Sequence, residues 1–209
     1  MNYTELKTNI QDICETTFTD DLLAMFTKQA EQKIFNSVQI PAIRRNVFTN
    51  VTSGNSFLST PSDFLWPYSL AVTDSSGKFN YLLNKDVNFI REAYPASSPG
   101  GLPAHYALFT DGTFMLGPTP DSNYQIELHY GFYPESIVTA ETTWLGDNFD
   151  SALLNGALIE AIRFLKGEAD VVAMYEKLYA HAINLLKVLG DGKLQEDTYR
   201  SGQFKQAVS

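Results

Sequence analysis

Apolar residues recur at helical spacing from Leu6 to Phe35. Leu6, Ile10, Ile13 and Cys14 mark a first helical segment, broken at Thr16-Thr17-Phe18-Thr19. Thr19 is placed to cap a second helix, with Asp20 and Asp21 in the first turn, where the helix dipole favours negative charge. Leu22, Leu23, Phe26, Ala30 and Ile34 carry one apolar stripe onward, and Pro41 stops any helix before it. From Val47 to Tyr133 the period falls to two. Val47 to Val51 and Phe64 to Val72 read as strands, and Ser75-Ser76-Gly77 turns the chain into Phe79 to Leu83. Tyr106–Phe109 and Phe114–Leu116 flank Asp111-Gly112, a strong hairpin signal. Tyr124, Ile126, Leu128 and Tyr130 alternate with Gln125, Glu127 and His129, the pattern of a half-buried strand. Between these strands, Asn84 to Ala93 reads as a short helix capped by Asn84, and Ser97 to Gly101 as a loop.

The last zone is helical again. Phe149, Leu153, Ala157, Leu158, Ala161, Ile162 and Leu165 line one helix that Gly167 ends. Val171, Tyr175, Leu178, Ala182, Leu185 and Leu189 step by four and three, the spacing of a helix packed against others, with Gly190 as its C-terminal cap. The fold class expected is therefore α+β: a mainly helical bundle from both chain ends, an inserted β-rich module and an extended C-terminal tail. The divisions expected are N-terminal helices over 1–46, the module over 47–142, C-terminal helices over 143–190 and the tail over 191–209.

Composition narrows the function classes. At 209 residues, with 44% hydrophobic and 19% charged, the chain can build its own core without disulfides or metal. The single Cys14 excludes an internal disulfide and reads as a buried, inert thiol on a helix face. No basic stretch leading into an apolar run opens the sequence, so no signal peptide is expected, and no stretch approaches the ~20 apolar residues of a membrane span. Eleven Tyr and fourteen Phe suit either a well-filled core or broad contact surfaces. The net charge of −9 argues against gripping nucleic acid, since the one basic doublet is Arg44-Arg45. An acidic wall can still surround a duplex and let it slide past.

No catalytic constellation emerges. His105, His129 and His181 lack metal-ligand spacing, and no nucleophile elbow or phosphate loop is present. Glu127, Glu135 and Glu141 are candidates for a glycosidase pair by proximity alone, and solvated surface charge is the better reading of them. The expectation is a protein that is not an enzyme, with no catalytic residues, metal or cofactor.

Several stretches in order carry a resemblance. They are Pro61-Ser62-Asp63-Phe64-Leu65, Leu116-Gly117-Pro118-Thr119-Pro120-Asp121, Tyr124 to Tyr130, Thr143-Trp144-Leu145 and Ala152 to Ala161, followed by a helix with Tyr175 and Tyr179. From about Asn36 to Leu189 the chain resembles the adaptor, or head-completion, proteins of tailed phages, especially short-tailed ones. That resemblance implies a virion protein, assembled in the host cytoplasm. It implies a homo-oligomeric ring, commonly of twelve copies, under the portal, with DNA passing through the centre unread and the tail nozzle docking beyond. It also implies that the C-terminal segment reaches the portal, and Leu194, Tyr199, Arg200 and Phe204 are anchors of suitable type. By residue type alone a frayed end is the default reading of that segment. Arg44 and Arg45 are candidate contacts to a neighbouring subunit, or ordinary surface charge. A tail-tube or nozzle subunit, and a cell-wall glycoside hydrolase, are the alternative readings.

Overall fold

The computed structural model describes residues 1–193. In chain order it contains helices α1 (Tyr3–Cys14) and α2 (Asp20–Ser37), a 3-10 turn (Pro41–Ile43), and strands β1 (Arg44–Val51), β2 (Phe57–Ser59), β3 (Trp66–Thr73), β4 (Phe79–Tyr81) and β5 (Leu83–Asn84). Helix α3 (Val87–Ala93), strands β6 (His105–Thr110), β7 (Thr113–Gly117) and β8 (Tyr124–Gly131), and helices α4 (Ile137–Ala140), α5 (Trp144–Asn148), α6 (Asp150–Phe164) and α7 (Ala169–Lys193) complete it. The fold is α+β. The chain divides into a helical unit, Met1–Ile43 with the chain from Pro134 onward, and a β-rich unit, Arg44–Tyr133. The β-rich unit thus begins three residues before Val47, because β1 pairs with β8 from Arg44 onward. It ends before 142, because Ile137–Ala140 is helical and its Ile137 is buried in the helical unit.

In the helical unit, local chemistry sets the helix starts. Asn2 accepts a hydrogen bond from the Glu5 N–H at 2.8 Å while the Glu5 carboxylate accepts one from the Asn2 N–H at 3.0 Å, a reciprocal cap on α1. Thr19 caps α2 by accepting from the Leu22 N–H. Helix α6 is the centre: α1, α2, α5 and α7 all pack on it. It buries Ala152, Leu153, Gly156, Ala157, Leu158, Ile159, Ala161 and Ile162, so it is apolar nearly all round, as a helix with several neighbours must be. On α1, Leu6 and Ile10 are fully buried, whereas Ile13 is 44% exposed. Cys14 is half-buried rather than buried, and that burial pushes its thiol pKa up.

Two expected caps are corrected. Gly190 does not end α7, which continues to Lys193. A Cβ there would stand 2.4 Å from the Gln39 carbonyl oxygen, so the residue is glycine to let α7 approach the segment after α2. Asp86, not Asn84, caps α3 by accepting from the Asn88 N–H, because Leu83–Asn84 is held in β5 beside β6.

The β-rich unit holds two four-stranded sheets, ordered β1-β8-β3-β4 and β2-β7-β6-β5. β8 buries Ile126, Leu128 and Tyr130, as its alternation requires. Their side chains join Leu70 and Val72 of β3 and Leu58, Tyr106, Phe114 and Leu116 from the other sheet in one core. Asp111-Gly112 connects β6 to β7, with Thr110 paired to Thr113. Asp74 clamps the β3–β4 turn. Its carboxylate accepts from the Ser76 hydroxyl at 2.6 Å, the Asn80 amide at 3.1 Å and the Lys78 N–H at 3.1 Å, which hold its pKa down to about 2. Gly77, at φ +83°, supplies the left-handed residue that this turn needs.

Candidate functional site

The two arginines of the basic doublet sit at the start of β1, each over an aromatic ring. Arg45 donates from Nη1 to Asp63 Oδ2 at 2.5 Å, and its guanidinium lies 4.0 Å from the Phe132 ring centroid. Asp63 also accepts from the Tyr130 hydroxyl at 2.8 Å, and burial raises the Tyr130 pKa. The Pro61-Ser62-Asp63-Phe64-Leu65 stretch therefore ties β1, β8 and the loop before β3 together within one unit. Arg44 stacks on Tyr68 at 4.1 Å, with its Nε buried and without a hydrogen-bond partner. Leu194, Tyr199, Arg200 and Phe204 lie outside the described residues.

Two of the three histidines have a ring neighbour. Tyr94 Oη is 2.9 Å from His105 Nδ1, and His129 lies against Tyr68 with centroids 5.1 Å apart. His181 is exposed on α7. Among the described residues, no group of three or more His, Cys, Asp and Glu is arranged to hold a metal ion. Glu127 accepts from the Asn46 amide at 2.7 Å, while Glu141 accepts from both the backbone N–H and the hydroxyl of Thr4. No helix of the described residues is long and apolar enough to cross a membrane.

Among the described residues one carboxyl is buried: Glu31 of α2, 4% exposed, accepts from the Ile137 N–H at 2.8 Å at the start of α4. Burial raises its pKa, against the opposing pull of the hydrogen bonds from Ile137 and Ser136 and of nearby Lys28. A carboxyl whose pKa is higher folded than unfolded binds more protons in the folded state. Stability therefore falls as pH rises from about 4.3 through the folded value, and is flat above it. Glu31→Gln keeps an acceptor for Ile137 and removes the titration. Urea unfolding of both proteins between about pH 4 and 8 should show a decline for the natural chain that the variant lacks. Parallel curves would mean the carboxyl is not desolvated as described.

What the unit surfaces offer instead is apolar area. In the β-rich unit, Phe57 and Phe109 are 44% and 37% exposed with ring centroids 5.2 Å apart, and Arg91 lies over Phe109 at 5.5 Å. In the helical unit, α7 buries Ala182, Ile183 and Leu186, while Val171, Met174, Leu178, Leu185 and Val188 are 36%, 48%, 47%, 51% and 69% exposed. The stripe expected to pack inward is thus divided: Tyr175, Ala182 and Leu189 lie inside or half-inside, and Val171, Leu178 and Leu185 face out. Spacing alone missed Met174 and Val188. They join the outward positions in a second row stepping by three and four, a signal visible only once the buried face is known.

Comparison with known proteins adds one match. A family model described as SU10 adaptor protein covers residues 1–205, while no curated protein matches.

Proposed function

Because the chain belongs to the SU10 adaptor protein family, a family of phage structural adaptors and not a class of enzymes, we propose that it forms a ring joining the portal to the tail. The observation that carries this reading is the match across nearly the whole chain. As an adaptor the protein is a virion component that works through contacts with other virion proteins. Copies, commonly twelve in the related proteins, stand side by side under the portal, the tail nozzle docks beyond them, and DNA passes through the centre without specific binding. A net charge of −9 suits that passage, because like charge keeps phosphates from adhering to the wall. The mechanism is geometric. Each modest contact becomes intramolecular once its neighbours are in place, so the closed ring holds far more firmly than any pair.

The helical unit is proposed as a bundle carrying the β-rich unit as an insertion, with an extended arm after α7. Leu194, Tyr199, Arg200 and Phe204 are its proposed portal anchors. Arg44 and Arg45 are the proposed inter-subunit contacts. Arg45 already pairs with Asp63 in its own unit and Arg44 stacks on Tyr68, so a neighbour's acid would add to contacts already made within one copy.

The test mixes the purified full-length chain, and a version ending at Lys193, with the cognate portal. Electron microscopy and light scattering should find closed rings on the portal with the full-length chain, and binding weakened at least 100-fold for the short one. Rings that form equally well without residues 194–209 would remove the docking arm. No binding by either version would overturn the adaptor reading and leave a tail-tube or nozzle subunit, which lacks a portal-binding arm.

A further inference from the structure

We infer that the second apolar face of α7 (Ala169–Lys193) is the surface by which one copy docks on the helical unit of the next, seating in the groove along the outer side of that copy's α2. This deepens the ring reading and rests on it. Helix α7 carries two apolar faces side by side. Ala182, Ile183 and Leu186 are buried in the chain's own helical unit, and Gly156 of α6 lies against Tyr179 of α7. Val171, Met174, Leu178, Leu185 and Val188 form the other face and are 36–69% exposed. They step by three and four, with His181 in the one polar position of the row. Knobs at that spacing fit holes on another helix, which makes the missing occupant a helix. From Val171 to Val188 the row runs about 25 Å at 1.5 Å per residue.

The α2 groove has the matching form. Asp21, Ala24, Met25, Lys28, Gln29 and Gln32 line it, at the i, i+3, i+4 positions of one helix face. Small Ala24 leaves room for a knob, and Met25, 40% exposed, is an adaptable apolar contact. The charges are complementary. Exposed Asp170 and Lys177 flank the α7 row seven residues apart, as Asp21 and Lys28 stand on α2, so an antiparallel pairing sets Asp170 against Lys28 and Lys177 against Asp21. Joining two different patches also leaves each copy's own α7 face free for the next, so the contact propagates and can close a ring. A helix pair of this length buries less than the ~800 Å² per partner of a standard stable interface, so copies stay separate when dilute and assemble where the portal holds them together.

The test uses the full-length chain with Cys14→Ser as background. A Met25→Cys, Met174→Cys pair, oxidised at high protein concentration and on the cognate portal, should give a ladder of crosslinked copies rising to a closed ring. Leu178→Glu with Leu185→Glu should leave the melting temperature within a few degrees, since both residues are exposed, and should leave only incomplete rings on the portal. Crosslinks that stop at dimers, or that form through Met174→Cys alone, would mean α7 pairs with α7 and would overturn the proposal. Rings that close normally with both glutamates in a folded chain would overturn it while leaving the ring reading intact. If the natural chain forms no ring on the portal, the ring reading fails and takes this surface with it.

Discussion

Phe114→Ala is expected to weaken the β-rich unit by about 3–5 kcal/mol. Phe114 of β7 is 0% exposed and meets two rings edge-on, Phe64 at 5.3 Å and 84° and Tyr106 at 5.5 Å and 89°. Removing it forfeits the transfer of a whole ring out of water, and leaves a void that Phe64 and Tyr106 cannot both fill without losing their own contacts. Trp66 lies in the β-rich unit and Trp144 in the helical one, so with Trp144→Phe as background the fluorescence reports the β-rich unit alone. At a urea dependence of about 2 kcal/mol per molar, the midpoint should drop by about 1.5–2.5 M. A drop below about 0.5 M would show that the ring is not at the centre of the core.

That core was legible in part. Thr19 as a cap, the alternation of β8 and the Asp111-Gly112 hairpin could be seen because each depends on a few consecutive residues. Sheet order could not. β8 lies between β1 and β3, and nothing in Val47–Val51 or Tyr124–Tyr130 taken alone says that Arg44 pairs with Gly131 and Val51 with Tyr124. Such partners are set by long-range burial and not by local period. The cap of α3 was misplaced for the same reason, since Asn84 is a good cap in isolation but is held beside Tyr106 by strand pairing.

The surfaces were legible to a lesser degree. The Arg44-Arg45 doublet is visible in the sequence, yet its engagement with Asp63, Phe132 and Tyr68 depends on strands meeting in space. Helix α7 is the clearest case. It is apolar round so much of its circumference that two interleaved rows satisfy a three-and-four spacing, and the period cannot say which faces inward. The choice is made by what α6 presents, above all by a glycine.

That glycine makes the second large prediction: Gly156→Ala should change stability by less than about 1 kcal/mol, and Gly156→Leu should cost about 3 kcal/mol. Gly156 lies inside α6, where glycine is weaker than alanine by about 0.5–1 kcal/mol in helix propensity alone. Its position explains why it is there. A Cβ would stand 3.0 Å from the Ala30 Cβ of α2 and 3.1 Å from the Tyr179 ring of α7, so three helices meet at this point. A methyl group needs only a few tenths of an ångström from its neighbours, and the propensity gained offsets much of that strain. A leucine has no space to enter. It must push α2 or α7 away from α6, and Tyr179, whose hydroxyl is buried, would be the first group displaced. Thermal unfolding of the two variants measures the asymmetry directly. The consequence extends past stability, because turning α7 about its axis moves its outer row as well. Gly156→Leu should therefore disturb ring formation more than its stability loss explains, when compared at equal folded fraction with a core variant such as Phe114→Ala. Equal effects of Ala and Leu at this position would mean that α2 and α7 do not close on α6 as tightly as the 3.0 and 3.1 Å approaches require.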